Sequence, residues 1–189
     1  ATYAVVGLVL LRQRLAALPR LRHAPWAALA VLLLAWGLAL WPWRLASPRL
    51  VVLDVGHGSA ALLVTPAGDA GLLDCGALGN IDAGRLSLRA MNALGAERVS
   101  WVAVSHSDYD HYSGVGSLLR EAGAGRLLGT PFLDPGPERW MLPDSAPPAE
   151  LLTQRDRFGL HGVECEVLWP PHDLGQGWAK NNTSLVVRL

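Results

Sequence analysis

The chain has 189 residues, enough for one domain of ordinary size, and its formal net charge of zero hides two unlike parts. Residues 1–47 carry five Arg and no acid, whereas residues 48–189 carry all 16 acids against 11 Lys and Arg, a balance of about −5. The second part therefore has no basic stripe of the kind that marks a nucleic-acid face, and two cysteines without a C-x-x-C pair exclude a zinc-finger pattern and a disulfide framework.

Residues 1–11 are apolar and uncharged, too short to span a bilayer but suited to the end of a helix begun upstream. Residues 12–25 form a basic loop with Arg12, Arg14, Arg20 and Arg22, broken by Pro19 and Pro25. Residues 26–43 then run 18 positions without a charge, with Trp26 at one end and Trp41 and Trp43 at the other. That length and those interfacial anchors predict a transmembrane helix. The four Arg of the preceding loop favour its cytoplasmic placement, so everything after Ser47 is expected outside. A second apolar segment upstream and the lack of a small-x-small site argue against a cleaved signal peptide. The sequence begins in apolar residues and stops at Leu189 inside a predicted strand, so a fragment of a longer protein is expected.

Past the Ser47-Pro48 linker, residues 50–53 predict a buried strand ending at Asp54. A tight polar turn holding His57 follows, then a strand over 60–65, a hairpin turn at 66–69 and a third strand over 71–76. Asp54 and Asp74 thus occupy matching places, each at a strand end before a glycine turn. There a carboxylate binds a turn amide or reaches toward a metal site built by neighbouring loops. Leu86, Ala90 and Leu94 share a helical face, with Gly95 as its stop. A strand over 100–104, a short helix from Val115 to the glycines at 123 and 125, and a strand over 126–128 come next. Residues 130–148 hold six of the 13 prolines and read as an irregular loop. Residues 150–158 read as a helix, 163–169 as a strand, 181–184 as a polar turn and 185–189 as a final strand. His172, after two prolines, reads as a loop histidine. Strands, helix, strand, helix and further strands make an α+β sandwich.

The most informative stretch is 105–114, Ser-His-Ser-Asp-Tyr-Asp-His-Tyr-Ser-Gly. His106, Asp108, Asp110 and His111 place four potential ligands within six positions, on a loop at the end of an apolar strand. Imidazole with carboxylate suits zinc or manganese. A solvated polar loop with one satisfied histidine is the plainer reading, but such loops rarely concentrate ligand types this way.

These residues resemble the His-x-His-x-Asp-His motif of metallo-β-lactamase-fold hydrolases. The form His-x-Asp-x-Asp-His-x-x-Gly is more narrowly similar to the hydrolase domain of the ComEC competence proteins, multi-span membrane proteins of bacterial DNA uptake. Residues 53–60 resemble that family's Asp-Val-Gly-Gln-Gly-Asp-Ala, residues 72–76 its Leu-Ile-Asp-Gly-Gly, and residues 182–186 its Asn-x-Ser-Leu-Val strand. His57 departs from the family's Gln, Ser59 from its frequent Asp, Cys75 from a Gly, and Asp108 from the second His of the general fold. The family's later motifs, a Gly-Asp and a His-rich segment, have no counterpart before Leu189.

The resemblance implies a partial αββα sandwich over 48–189 behind a membrane helix. It implies a hydrolase using two divalent ions, zinc or manganese. His106 and Asp108 would hold the first ion and Asp110 and His111 the second. Asp110 would orient the attacking water, and Asp54, His57 and Asp74 would support the ligands. It implies single-stranded DNA as substrate, the bacterial inner membrane as location with the hydrolase on its outer side, and competence-machinery proteins as further partners. With later ligands missing, this stretch alone is expected to bind metal weakly and to be inactive. Two other readings stand beside this one: a tethered metallo-hydrolase of small esters or phosphodiesters, and a non-catalytic cap on a DNA channel.

Overall fold

The computed structural model describes residues 24–40, 47–133, 141–174, 178 and 180–189. The chain divides into two compact units at Trp43/Arg44.

In the first unit, helix α1 (Ala24–Leu40) is 17 residues long. Trp26, Val31, Leu32, Leu33, Leu34 and Trp36 are all exposed, and among the described side chains, residues 26–37, none is polar and none is buried. Among the described residues no helix is long and apolar enough to cross a membrane. The expected span continues to Trp43. Residues 41–46 lie outside the described residues, as do residues 1–23 with the expected helix end and most of the expected basic loop, whose last two residues, Ala24 and Pro25, begin α1 instead.

The second unit is built on a six-stranded sheet in spatial order β1 to β6. β1 (Arg49–Val52), β2 (Gly58–Val64) and β3 (Asp69–Ala77) form an antiparallel meander. β4 (Arg98–Ala103), β5 (Arg126–Gly129) and β6 (Ala149–Leu151) continue from β3 in parallel. Parallel pairing needs crossovers, and helix α2 (Ala83–Ala93) supplies the one from β3 to β4 and helix α4 (Val115–Ala122) the one from β4 to β5. Between β4 and α4 lies α3 (Tyr109–Tyr112), a single turn. A second, antiparallel sheet contains β7 (Arg157–Leu160), β8 (Val163–Trp169) and β9 (Val186–Arg188).

Two cores follow from this layering. Leu62, Val64, Leu72, Val102 and Leu127 face α2 and α4. Leu63, Trp101, Ala103 and Leu128 face the second sheet, where Trp101 meets Phe158 edge-on at 5.1 Å between ring centroids. β3 is buried along both faces, which is why its sequence reads as nearly continuous apolar residues. Cys75 and Cys165 are free thiols in different cores, so they do not pair.

The predicted helix over 150–158 is not formed. Leu151 pairs with Gly129 in the parallel register, and Arg155 has φ 79, a value no α-helix accepts. Asp156 accepts from the Thr153 amide at 2.7 Å, closing a turn between β6 and β7. Strand pairing outweighs the helix propensity of Leu, Gln and Arg here.

The ligand loop is seated on the β2–β3 hairpin. Ser113 Oγ accepts from the Ala77 amide at 2.9 Å and donates to the Ala77 carbonyl at 3.0 Å. The Gly114 amide donates to the Cys75 carbonyl at 2.8 Å. A Cβ at Gly76 would lie 2.4 to 2.5 Å from backbone atoms of Asp110 and His111, so only glycine admits α3 this close. Gly76→Ala is therefore expected to destabilise the domain by about 1–3 kcal/mol. That is a melting-temperature loss of roughly 2–4 °C per kcal/mol in thermal denaturation. Leu78→Ala, at an exposed position on the same segment, should stay within about 0.5 kcal/mol of the parent. Equal melting temperatures for Gly76→Ala and the parent would contradict the close packing.

Candidate metal centre

The site lies where the parallel strands end, the edge at which open α/β sheets place their functional loops. Its base is Asp74. In the β2–β3 pair Ala60 is opposite Cys75 but Ala61 is opposite Leu73, so Asp74 is an extra residue, a bulge. Its φ of 58 lies in the left-handed region, which Asp tolerates better than most side chains. The bulge turns the carboxylate toward the end of β4, where it is buried.

There it accepts three hydrogen bonds. The Ser105 amide donates to Oδ1 at 2.7 Å, Ser105 Oγ donates to Oδ2 at 2.9 Å, and His111 Nδ1 lies 2.7 Å from Oδ2. Ser105 Oγ is also 3.0 Å from His106 Nδ1 and 3.3 Å from His111 Nδ1. The two imidazoles lie together, with ring centroids 4.0 Å apart. Each ring thus has its Nδ1 on the buried Asp74–Ser105 base. The opposite nitrogens face carboxylates: His106 Nε2 is 3.3 Å from Asp108 Oδ2, and His111 Nε2 is 4.0 Å from Asp110 Oδ2.

The side chains grade from buried to open. His106 is 8% exposed, His111 22%, Asp110 33% and Asp108 40%, so the nitrogens sit below and the carboxylates at the mouth. Asp108 occupies the N-cap position of α3, yet its carboxylate does not cap that turn. The hydrogen bond to Asp74 raises the His111 pKa above that of an ordinary imidazole, against the opposing effect of burial. Burial lowers the His106 pKa, and the neighbouring His111 charge lowers it further. Burial pushes the Cys75 thiol up to about 12, which keeps it protonated beside the site.

The donor set fits a divalent ion. Two ligands of one tetrahedral zinc, each about 2.1 Å from it, lie about 3.4 Å apart. The His106–Asp108 separation is close to that value and the His111–Asp110 separation is wider. Among the described residues no group of three or more His, Cys, Asp or Glu side chains forms a metal centre. The ligands come as two pairs.

The four motif residues are therefore brought together, and Asp74 with them. Asp54 is placed differently. Its Oδ1 accepts from the Gly56 amide at 3.2 Å, within its own turn, and it is exposed. His57 is exposed on that turn, while its carbonyl accepts from Leu78 at 2.7 Å. The matching sequence contexts of Asp54 and Asp74 do not translate into matching roles, because only Asp74 sits on a bulge. Ser105 was not among the residues the sequence singled out. Its only sequence signal is a hydroxyl between the apolar strand and the first histidine.

The Metallo-beta-lactamase superfamily model matches residues 53–180. Among solved structures, a Cronobacter sakazakii metallo-beta-lactamase HARLDQ-motif mutant is 21% identical, with a TM-score of 0.51 over 75% of this chain and 58% of its own. A chemotaxis sensor ODP, described as a peroxy diiron species, is 14% identical, with a TM-score of 0.51 over 77% of this chain and 56% of its own. The chain thus spans a little over half the length of either, and at these identities the likeness is one of fold. Among curated proteins none matches. With more than half of its length covered, from the residue before Asp54 past the ligand loop to the second sheet, this chain belongs to the metallo-beta-lactamase superfamily.

Proposed function

We propose that this chain is the ligand-bearing part of a membrane-anchored, metal-dependent hydrolase that cuts phosphodiester bonds of single-stranded DNA during bacterial DNA uptake. The observation that carries the hydrolase reading is the orientation of His106 and His111. Both Nδ1 atoms are tied to the Asp74–Ser105 base, and both Nε2 atoms are left facing carboxylates. That is how a protein presents imidazole to a cation rather than to a structural partner. The superfamily is one of metal-dependent hydrolases that hold one or two divalent ions, usually zinc. His106 with Asp108 and Asp110 with His111 would hold such ions, with further ligands from outside the described residues. When bound, divalent ions supply Lewis-acid polarisation of an ester and a lowered pKa for water.

The protein's own groups account for the rest. Asp110, a third exposed at the mouth, accepts a proton from the attacking water and orients it. The buried Asp74–Ser105 base keeps the rings from turning. The acidic surface of this part, about −5 by its residues, is compatible with DNA only if cations meet the phosphates. Anchoring rests on α1, whose described side chains are apolar and exposed all round, and on the uncharged run through Trp43. Placement on the outer face of the inner membrane, and contact with other competence proteins, follow from the four Arg before that helix and from the motif's similarity to ComEC.

Purified without chelator, the whole hydrolase domain should contain zinc or manganese and cut single-stranded DNA. Asp110→Asn should lower the cleavage rate by roughly 100- to 10,000-fold with little change in melting temperature. A metal-free domain in which Asp110→Asn changes nothing would leave the cap on a DNA channel as the better reading, and cleavage of small esters alone would favour the tethered esterase.

Metal affinity should also depend on pH in a stated direction. The apo protein stabilises protonated His111, and the ion needs it neutral. Below the ordinary imidazole value of about 6.5 the proton is fully retained, and it is lost as pH rises through the raised His111 pKa. Zinc affinity should therefore fall on acidification through that window, by up to about tenfold per pH unit for one displaced proton. Calorimetry in two buffers of different ionisation enthalpy counts the proton. In Asp74→Asn the window should move down toward the ordinary imidazole range, and an unmoved window would contradict the assignment.

A further inference from the structure

The Ser105 hydroxyl touches three polar atoms, and it has only one proton. We infer that Ser105 is a positioning residue whose single proton fixes the tautomer of His106, so that the ring presents an unprotonated Nε2. The inference rests on the metal-binding reading above.

The proton inventory leads there in three steps. The buried Asp74 carboxylate is the acceptor in this cluster, taking the Ser105 hydroxyl on Oδ2. The 2.7 Å contact from His111 Nδ1 therefore requires a proton on that nitrogen. The 2.9 Å contact between Ser105 Oγ and Asp74 Oδ2 likewise requires one, and only the serine can supply it. With its proton so directed, Ser105 Oγ has lone pairs left toward His106 Nδ1 at 3.0 Å. That contact is a hydrogen bond only if His106 carries its proton on Nδ1. The alternative turns the serine proton toward His106 and leaves two oxygens 2.9 Å apart in a buried site with nothing between them. Its compensation would be a 3.3 Å bond from His106 Nε2 to Asp108, a carboxylate at the mouth that water also reaches. The buried contact is shorter and has no solvent to replace it, so it decides the proton's place.

His106 Nε2 thereby faces Asp108 Oδ2 at 3.3 Å as an acceptor, and a cation held between them would take a lone pair from each. The same hydroxyl lies 3.3 Å from His111 Nδ1, so one serine adjoins the back of both imidazoles. His111 does not depend on it, because Asp74 holds His111 directly. The two rings should therefore respond differently to loss of the hydroxyl.

The test reads the ring nitrogens of the metal-free full chain by nitrogen-15 NMR, well above the imidazole pKa so that both rings are neutral. His106 and His111 are both expected as Nδ1–H tautomers. In Ser105→Ala, His106 should lose that preference while His111 keeps it, and zinc affinity by calorimetry should drop roughly 10- to 100-fold. Ser105→Thr, which keeps the hydroxyl, should restore both readouts toward the parent. An Nε2–H tautomer at His106 in the unaltered chain overturns the inference without any variant. So does a Ser105→Ala protein with unchanged His106 signals. A whole hydrolase domain with the expected tautomers and no measurable zinc binding would instead sink the metal reading and leave the serine's role intact.

Discussion

Three hydrogen bonds onto one buried carboxylate organise this molecule's site. Asp74 joins the end of β3 to the end of β4 through the Ser105 amide and hydroxyl, and it joins both to the turn of α3 through His111. A buried carboxylate needs hydrogen-bond donors, and here three reach it from two directions. The backbone bears the cost of aiming it, as a bulge with a left-handed residue in an otherwise regular strand. Strain of that kind, placed beside a cluster of ligand-type side chains, has a local purpose: without the bulge, strand alternation would direct the carboxylate elsewhere.

The rest of the layering holds this arrangement still. Glycine at 76 admits the α3 backbone, Ser113 straps the loop to Ala77, and Gly114 bonds Cys75. On the far side of the sheet, Leu185 donates to the Ser105 carbonyl at 2.8 Å, so the start of β9 braces the same residue from the second sheet. A loop would ordinarily be mobile. This one is fastened at Ser105, Ser113 and Gly114, which leaves residues 108–110 as its more exposed part.

Much of this was legible in the sequence, for identifiable reasons. The strands before Asp54, Asp74 and Ser105 announced themselves as short apolar runs ended by polar turns, although the first, expected to be buried, is an exposed edge strand with Leu50 and Val52 open. The cluster at 106–111 was visible because its ligands are close along the chain. What the sequence concealed is non-local. Nothing in residues 150–158 shows that Leu151 will pair with Gly129, so local propensity gave a helix where strand and turn occur. Asp54 and Asp74 look alike in one dimension, because the bulge that separates their fates is a property of the pairing with β2. Ser105 was overlooked because a hydroxyl has no meaning until three partners converge on it. The free state of the two cysteines also emerges only from the layers, which put them on opposite faces of the sheet.

The bonds that make the site span long stretches of chain. Asp74 and Ser105 are 31 residues apart, and Asp74 and His111 are 37 apart. Closing such loops costs entropy that only the completed parallel pair returns, so these contacts belong to the slow, late class of folding events. The ligand geometry therefore cannot preassemble in a nascent or partly opened chain. It appears when β3 and β4 zip together and is lost when they part. The Ser105 amide, bonded to a buried carboxylate at that seam, should exchange its hydrogen only through the domain's largest openings. Parting of β3 from β4 would therefore take the arrangement of Asp74, Ser105 and His111 with it.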